Sequence, residues 1–185
     1  LILLCSSLLC PTPSAQVIGG AWEELHRIDG TAALELLGEQ IAAAGDVDGD
    51  GVPDLILGAR YAAPGGIFQA GSAFVYSGKS GSLLWRFDGN EAAGWFGRST
   101  AGVGDVDGDG FGDLIVGAPK ETPNGEARAG RAYLYSGATG DLLRQFEGTK
   151  AFDYLGTSVA GAGDIDGDGV GVGDIIIGAT KIGRA

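Results

Sequence analysis

Three stretches concentrate carboxylates at a spacing that suits a hard cation. They read GDVDGDGVPDLILGA from Gly45 to Ala59, GDVDGDGFGDLIVGA from Gly104 to Ala118, and GDIDGDGVGVGDIIIGA from Gly163 to Ala179. In the first, Asp46, Asp48, Asp50 and Asp54 stand at positions 1, 3, 5 and 9 of a nine-residue loop, with Gly51 at 6 and Val52 at 7. Alternate aspartates converge when the backbone curls, and Gly51 permits the positive φ that makes the curl tight. Position 7 can offer only its carbonyl oxygen. Three or four carboxylates, one carbonyl and water supply roughly six or seven oxygen ligands, a set that suits Ca²⁺ rather than a thiolate- or imidazole-seeking metal. The single histidine, His26, lies outside the motif, and both cysteines, Cys5 and Cys10, lie in the first ten residues.

Aspartate and glycine also favour turns with no ligand at all. Three copies that keep positions 1, 3, 5 and 6 argue against that reading, because a turn does not need four like charges whose repulsion an ion would relieve. An EF-hand shares positions 1, 3, 5 and 7 but needs a bidentate Glu at position 12 and a following helix. Position 12 is Leu57 in the first copy and Val116 in the second, both inside aliphatic runs, so that motif is rejected.

The formal charge of the 185-residue chain is -12, from 24 acidic and 12 basic residues, which disfavours nucleic acid or an anionic membrane as partner. Twelve of the 24 carboxylates belong to the three motifs. One divalent ion at each would move the balance to about -6, so the acidity reads as a property of sites. The opening LILLCSSLLC, followed by PTPSAQ, is too short to span a bilayer and fits the apolar centre of a secretory signal peptide, with cleavage near Ala15. Acylation of Cys10 is a weaker alternative, since Leu9 stands where a small residue is wanted. The numbering starts at Leu1 and the chain contains no Met, which reads as part of a longer protein, with no membrane span in its mature form.

The elements that must position the carboxylates come from a tandem repeat. Asp46, Asp105 and Asp164 are spaced by 59 residues, and 28 of the 59 positions from Leu37 to Trp95 are identical in Phe96 to Tyr154. The expected organisation is the end of one unit (16–36), two complete units (37–95 and 96–154) and the start of another (155–185). Within a unit, Glu39 to Gly45, Asp54 to Ala59, Ser72 to Gly78 and Leu83 to Gly89 read as strands, and no segment has a helical period over ten residues. A four-stranded sheet with two apolar faces must stack on its neighbours. Radial stacking of such sheets makes a β-propeller, so the fold class expected is all-β, with four-stranded antiparallel blades, about three of them present.

With a strand on each side and a calcium loop between, the unit resembles the FG-GAP repeat of integrin α-subunit propellers and of many secreted bacterial proteins. The naming motifs appear as Phe96-Gly97 and Gly117-Ala118-Pro119 in the second unit, as Leu37-Gly38 and Gly58-Ala59-Arg60 in the first, and as Leu155-Gly156 and Gly178-Ala179-Thr180 in the third. The resemblance implies a seven-bladed ring with structural Ca²⁺ between the first two strands of a blade. Carried over, the ligands are Asp46, Asp48, Asp50, Asp54 and the Val52 carbonyl, then Asp105, Asp107, Asp109, Asp113 and the Phe111 carbonyl. The third loop would use Asp164, Asp166, Asp168, the Val170 carbonyl and Asp174, which arrives two residues late, with Val172 at position 9; either the loop bulges to let Asp174 reach the ion, the reading preferred, or that site is weakened.

No nucleophile stands with a plausible base, and His26 in its strand register suits packing or surface better than catalysis. The function expected is a secreted or cell-surface calcium-binding propeller acting as an adhesion or interaction scaffold, with a protein or extracellular glycan as partner. The alternatives are an accessory module of a hydrolase or lyase, and a carbohydrate-binding propeller. Arg144 at the position of Trp85 argues against a repeated sugar site.

Overall fold

The protein is described by a computed structural model over residues 14–18, 24–30, 35–165, 167 and 173–180. Strands β1 (Ser14–Ile18) and β2 (Glu24–Asp29) form an antiparallel pair. The boundary expected at Ala15 therefore falls within a paired strand, while the apolar run before it lies outside the described residues. Next comes a four-stranded antiparallel sheet of β3 (Gln40–Gly45), β4 (Asp54–Ala59), β5 (Ser72–Tyr76) and β6 (Leu83–Asp88), in sequential order. A second sheet repeats it with β7 (Ser99–Gly104), β8 (Asp113–Ala118), β9 (Arg131–Tyr135) and β10 (Leu142–Glu147). The pair β11 (Leu155–Gly163) and β12 (Asp174–Ala179) follows. Among the described residues the only helical turns are two short 3-10 turns, Pro64–Gly66 and Pro123–Gly125. The chain is all-β, with the antiparallel four-stranded sheets of propeller blades, as the repeat predicts.

The second strand of each complete unit is apolar on both faces because both faces are covered. In β4, Ile56 points into a cluster shared with Phe96, Leu114 and Val116 of the next unit, while Leu57 points into another shared with Ile28 and Phe74. In β8, Leu114 and Val116 face the first sheet, and Ile115 packs with Val159, Ile175 and Ile177 on the other side. Each such fully buried side chain contributes about 1.5–3 kcal/mol of burial. The first strand of a unit is built of small residues for a different reason: β7 packs against β3, and β11 against β7. A Cβ on Gly102 would stand 2.7 Å from the Ala43 carbonyl oxygen, closer than any side chain tolerates.

The residues of the naming motifs meet between units. A Cβ on Gly58 would overlap the carbonyl oxygen of Gly97, and one on Gly117 would overlap that of Gly156. Phe96 lies 2 % exposed in the cluster between the two sheets, and its N–H donates to the Ala70 carbonyl at 2.9 Å. Phe96 opens the second unit in sequence, yet its backbone bridges in parallel to Gly71 of the first. The residue preceding each motif is left-handed: Leu36 at φ 56°, Trp95 at 61° and Tyr154 at 53°. Large side chains rarely adopt that conformation, and here it recurs with the repeat.

Candidate metal centre

The loop between β3 and β4 is organised by Asp46. Its Oδ1 accepts the N–H groups of Gly49 (2.8 Å) and Asp50 (3.1 Å), and its Oδ2 accepts that of Gly51 (3.0 Å). Asp48 accepts the Asp50 N–H, and Asp50 accepts the Val52 N–H. Gly49 and Gly51 carry φ of 75° and 82°, the positive values the curl requires. One oxygen from each of Asp46, Asp48 and Asp50 lies within 4.8 Å of the other two. The second loop repeats this: Asp105 accepts from Gly108, Asp109 and Gly110, and Asp105, Asp107 and Asp109 make an equal cluster.

Position 9 does something different. Asp54 is 0 % exposed; its Oδ2 accepts the Val47 N–H at 2.7 Å and its Oδ1 the Gly78 N–H at 2.9 Å. Asp113 likewise accepts from Val106 (2.7 Å) and Gly137 (3.1 Å). Neither belongs to the group of converging oxygens; each ties its loop to the turn after the third strand. Burial pushes both carboxyls up, against the pull of those backbone hydrogen bonds.

In the third loop Asp174 takes the place of Asp54 and Asp113. Its carboxylate accepts the Ile165 N–H at 2.7 Å, and it pairs with Gly163 as Asp54 does with Gly45 and Asp113 with Gly104. Asp174 thus opens β12 in the register at which Asp54 opens β4 and Asp113 opens β8. Asp164 accepts the Gly167 N–H as its counterparts do, whereas Asp166, Asp168 and Val170 lie outside the described residues.

The loops also dock on one another. Gly112 N–H donates to the Asp46 carbonyl at 2.9 Å, and the Phe111 ring covers Gly49 so closely that a Cβ there would stand 2.7 Å from it. Charge compensation differs between the two. Lys79 Nζ sits 3.9 Å from the Asp50 carboxylate, but Ala138 replaces it in the second unit, where no described Lys or Arg pairs with Asp105, Asp107 or Asp109. All donors converging at either loop are carboxylate oxygens, so the arrangement can hold a hard divalent cation.

Two sets of residues escaped the sequence reading. His26 Nε2 donates to the Gly78 carbonyl at 3.0 Å, and Trp85 Nε1 donates to the Gly137 carbonyl at 2.7 Å. Both donors and both acceptors are related by the same 59-residue offset, which was the available signal. The second set is Arg131, which pairs with Glu91, Glu121 and Glu147, while Tyr133 donates its hydroxyl to Glu121. Burial pushes the Glu121 carboxyl up, against the pull of Tyr133 and Arg131.

The family model for the FG-GAP repeat matches residues 37–76 and 96–135, the first three strands of each complete unit. The chain is 32% identical to integrin alpha-V of Gallus gallus over 133 residues, 69% of this chain and 12% of the relative. It is 36% identical to integrin alpha-4 of Xenopus laevis over 149 residues, 74% of this chain and 14% of the relative. With integrin alpha-PS2 of Drosophila melanogaster the identity is 30% over 175 residues, 83% of this chain and 12% of the relative. The chain thus spans roughly an eighth of the length of these relatives. With two repeats matched and the motif glycines packed against each other between units, the chain belongs to the FG-GAP repeat family of integrin α-subunit-like β-propellers.

Proposed function

We propose that this chain is a Ca²⁺-stabilised propeller segment of a secreted or cell-surface protein, serving as an interaction or adhesion module. The observation that carries the metal reading is the convergence of three carboxylate oxygens within 4.8 Å in two successive loops, the second without a compensating cation among the described residues. Asp46, Asp48 and Asp50, and in the second unit Asp105, Asp107 and Asp109, would hold the ion. The carbonyls of Val52 and Phe111 would complete each site. Asp54 and Asp113 close the base of the loops; both Asp54 oxygens and the Asp113 Oδ1 retain a second lone pair for the ion, whereas the Asp113 Oδ2 already accepts the Val106 and Asp107 N–H groups. Bound Ca²⁺ would neutralise the cluster and stabilise the folded state. The chain's own residues supply orientation, through the amides that already fix each aspartate.

The interaction role rests on family membership, since all three relatives named above are integrin α chains. The test of the metal reading is thermal unfolding with excess Ca²⁺ and then with excess chelator. Each loop should add about 2.7 kcal/mol at a free Ca²⁺ concentration a hundred times its Kd, and an unchanged Tm would sink the reading.

A further inference from the structure

At the end of the strands opposite the acidic loops, the charge reverses. Arg60 directly follows β4, Pro119 and Lys120 follow β8, and Trp95 and Arg98 precede β7. Together with Tyr154 they line a cavity of about 210 Å³ where three successive units meet, roughly 20 Å along the strands from the carboxylate clusters. The Lys120 ammonium lies 3.1 Å from the centre of the Trp95 ring, and the Arg60 guanidinium lies 4.9 Å from it. Burial and the charges of Arg128 and Arg60 push the Lys120 pKa down, as expected of a cation crowded by others.

This basic pocket is particular to its place in the repeat. In the first unit Arg60 is answered by Glu39 at 2.8 Å, but the position equivalent to Glu39 in the second unit is Arg98. Among the described residues, no carboxylate pairs with Arg98, Lys120 or Arg128, in a chain with twice as many acidic as basic residues. A ring beneath Lys120 satisfies one side of its ammonium and leaves its donors directed elsewhere. Arg98 and Lys120, half-buried beside aromatic walls and with no described carboxylate paired to them, make a receptor for an anionic group.

We propose that this pocket binds a single carboxylate side chain on an otherwise weakly charged segment of a partner protein, an inference that rests on the interaction-module reading and names its partner chemistry. The cavity admits one side chain. A net charge of -12 repels a polyanion such as nucleic acid or a sulfated glycan chain as it approaches, while a lone carboxylate feels mainly the local cations. The guanidinium of Arg98 offers the fork that matches a carboxylate, and Lys120 adds a point charge.

The test is fluorescence polarisation on the full chain, with a labelled peptide carrying one glutamate and no other charge, its glutamine counterpart, and a sulfated heparin oligosaccharide as competitor. The glutamate peptide should bind and the glutamine peptide should not. Arg98→Gln and Lys120→Gln should each weaken binding about tenfold, with Arg98→Lys, which keeps the charge and loses the fork, falling between Arg98→Gln and the unsubstituted chain. Melting of each variant with Ca²⁺ and with chelator separates this inference from the metal reading, because the pocket variants should keep the full Ca²⁺ shift. Equal binding of the two peptides, no effect of the variants, or binding of the oligosaccharide without the peptide would each overturn the proposal.

Discussion

Gly58 and Gly97 pack so closely that the carbonyl oxygen of Gly97 occupies the space a Cβ on Gly58 would need. The first glycine ends the second strand of one unit and the other begins the next, so the two halves of the family's name describe one contact. Gly58 is required by sterics alone, since its neighbour is backbone and cannot rotate away, whereas Gly97 also carries a φ of 80°. Gly58→Ala should therefore cost about 3 kcal/mol, at the upper end of overpacking penalties, read as a lowered urea midpoint. Gly51→Ala, whose Cβ would meet nothing within 4 Å, bears only the strain of its φ of 82° and should cost about 1 kcal/mol.

The acidic loops divide their aspartates into two jobs, and substitutions should separate them. Asp54 is buried and holds two backbone N–H groups, so Asp54→Ala leaves both unsatisfied and should destabilise by about 2–4 kcal/mol even in chelator. Asp48 is exposed and accepts only the Asp50 N–H, so Asp48→Ala should leave the chelated Tm nearly unchanged while reducing the Ca²⁺-dependent rise. Paired melts of the two variants, with and without Ca²⁺, decide the matter. Equal behaviour would return Asp54 to the ligand set on the same footing as its neighbours.

The strands were legible because their cause is local. The run Asp54 to Ala59 is aliphatic from one turn signal to the next, and the structure starts and ends β4 on those residues. What could not be read was partnership at a distance. Position 9 reads as a further ligand in a linear motif, and only three dimensions show that its two oxygens also accept the N–H groups of Val47 and Gly78. Phe96 begins a unit in sequence but packs in the core shared with the sheet before it, so a boundary drawn from the repeat cuts through a contact. Arg131 meets glutamates from three separate segments, none at a spacing that pattern reading detects.

Alkaline pH should unfold the protein through its tyrosines. Burial pushes the hydroxyls of Tyr76, Tyr133 and Tyr135 above their ordinary value of 10.0; the charge of Glu121 adds to this at Tyr133 and Tyr135, and that of Glu35 at Tyr76. The folded state then keeps protons that the unfolded chain releases. The stability this confers is fully present below pH 10 and lost as pH rises beyond it through the folded values. Urea midpoints in chelator should accordingly fall above about pH 10. Tyr133→Phe, which installs the residue found at the equivalent position 74, should make that fall shallower. It should also cost about 1–2 kcal/mol at neutral pH, because Glu121 loses a donor.

Trp85 joins the outermost strand of one sheet to the turn of the next by donating to Gly137, whose own N–H is held by Asp113. Gly137 is thus fixed through both of its flanking peptide groups, its N–H by the loop of its own unit and its carbonyl by the indole of its neighbour. His26 and Asp54 fix Gly78 in the same manner. Trp85→Phe keeps an aromatic ring over Gly140 and removes only the donor, so it should cost about 1 kcal/mol, whereas Trp85→Ala also opens a gap and should cost about 3 kcal/mol. If the indole acts through Gly137, the Asp113→Ala and Trp85→Phe substitutions should be non-additive, because each loosens one side of the glycine whose other side the partner holds. A double-mutant cycle of urea unfolding in chelator measures that coupling, and strictly additive losses would show that the two contacts work independently.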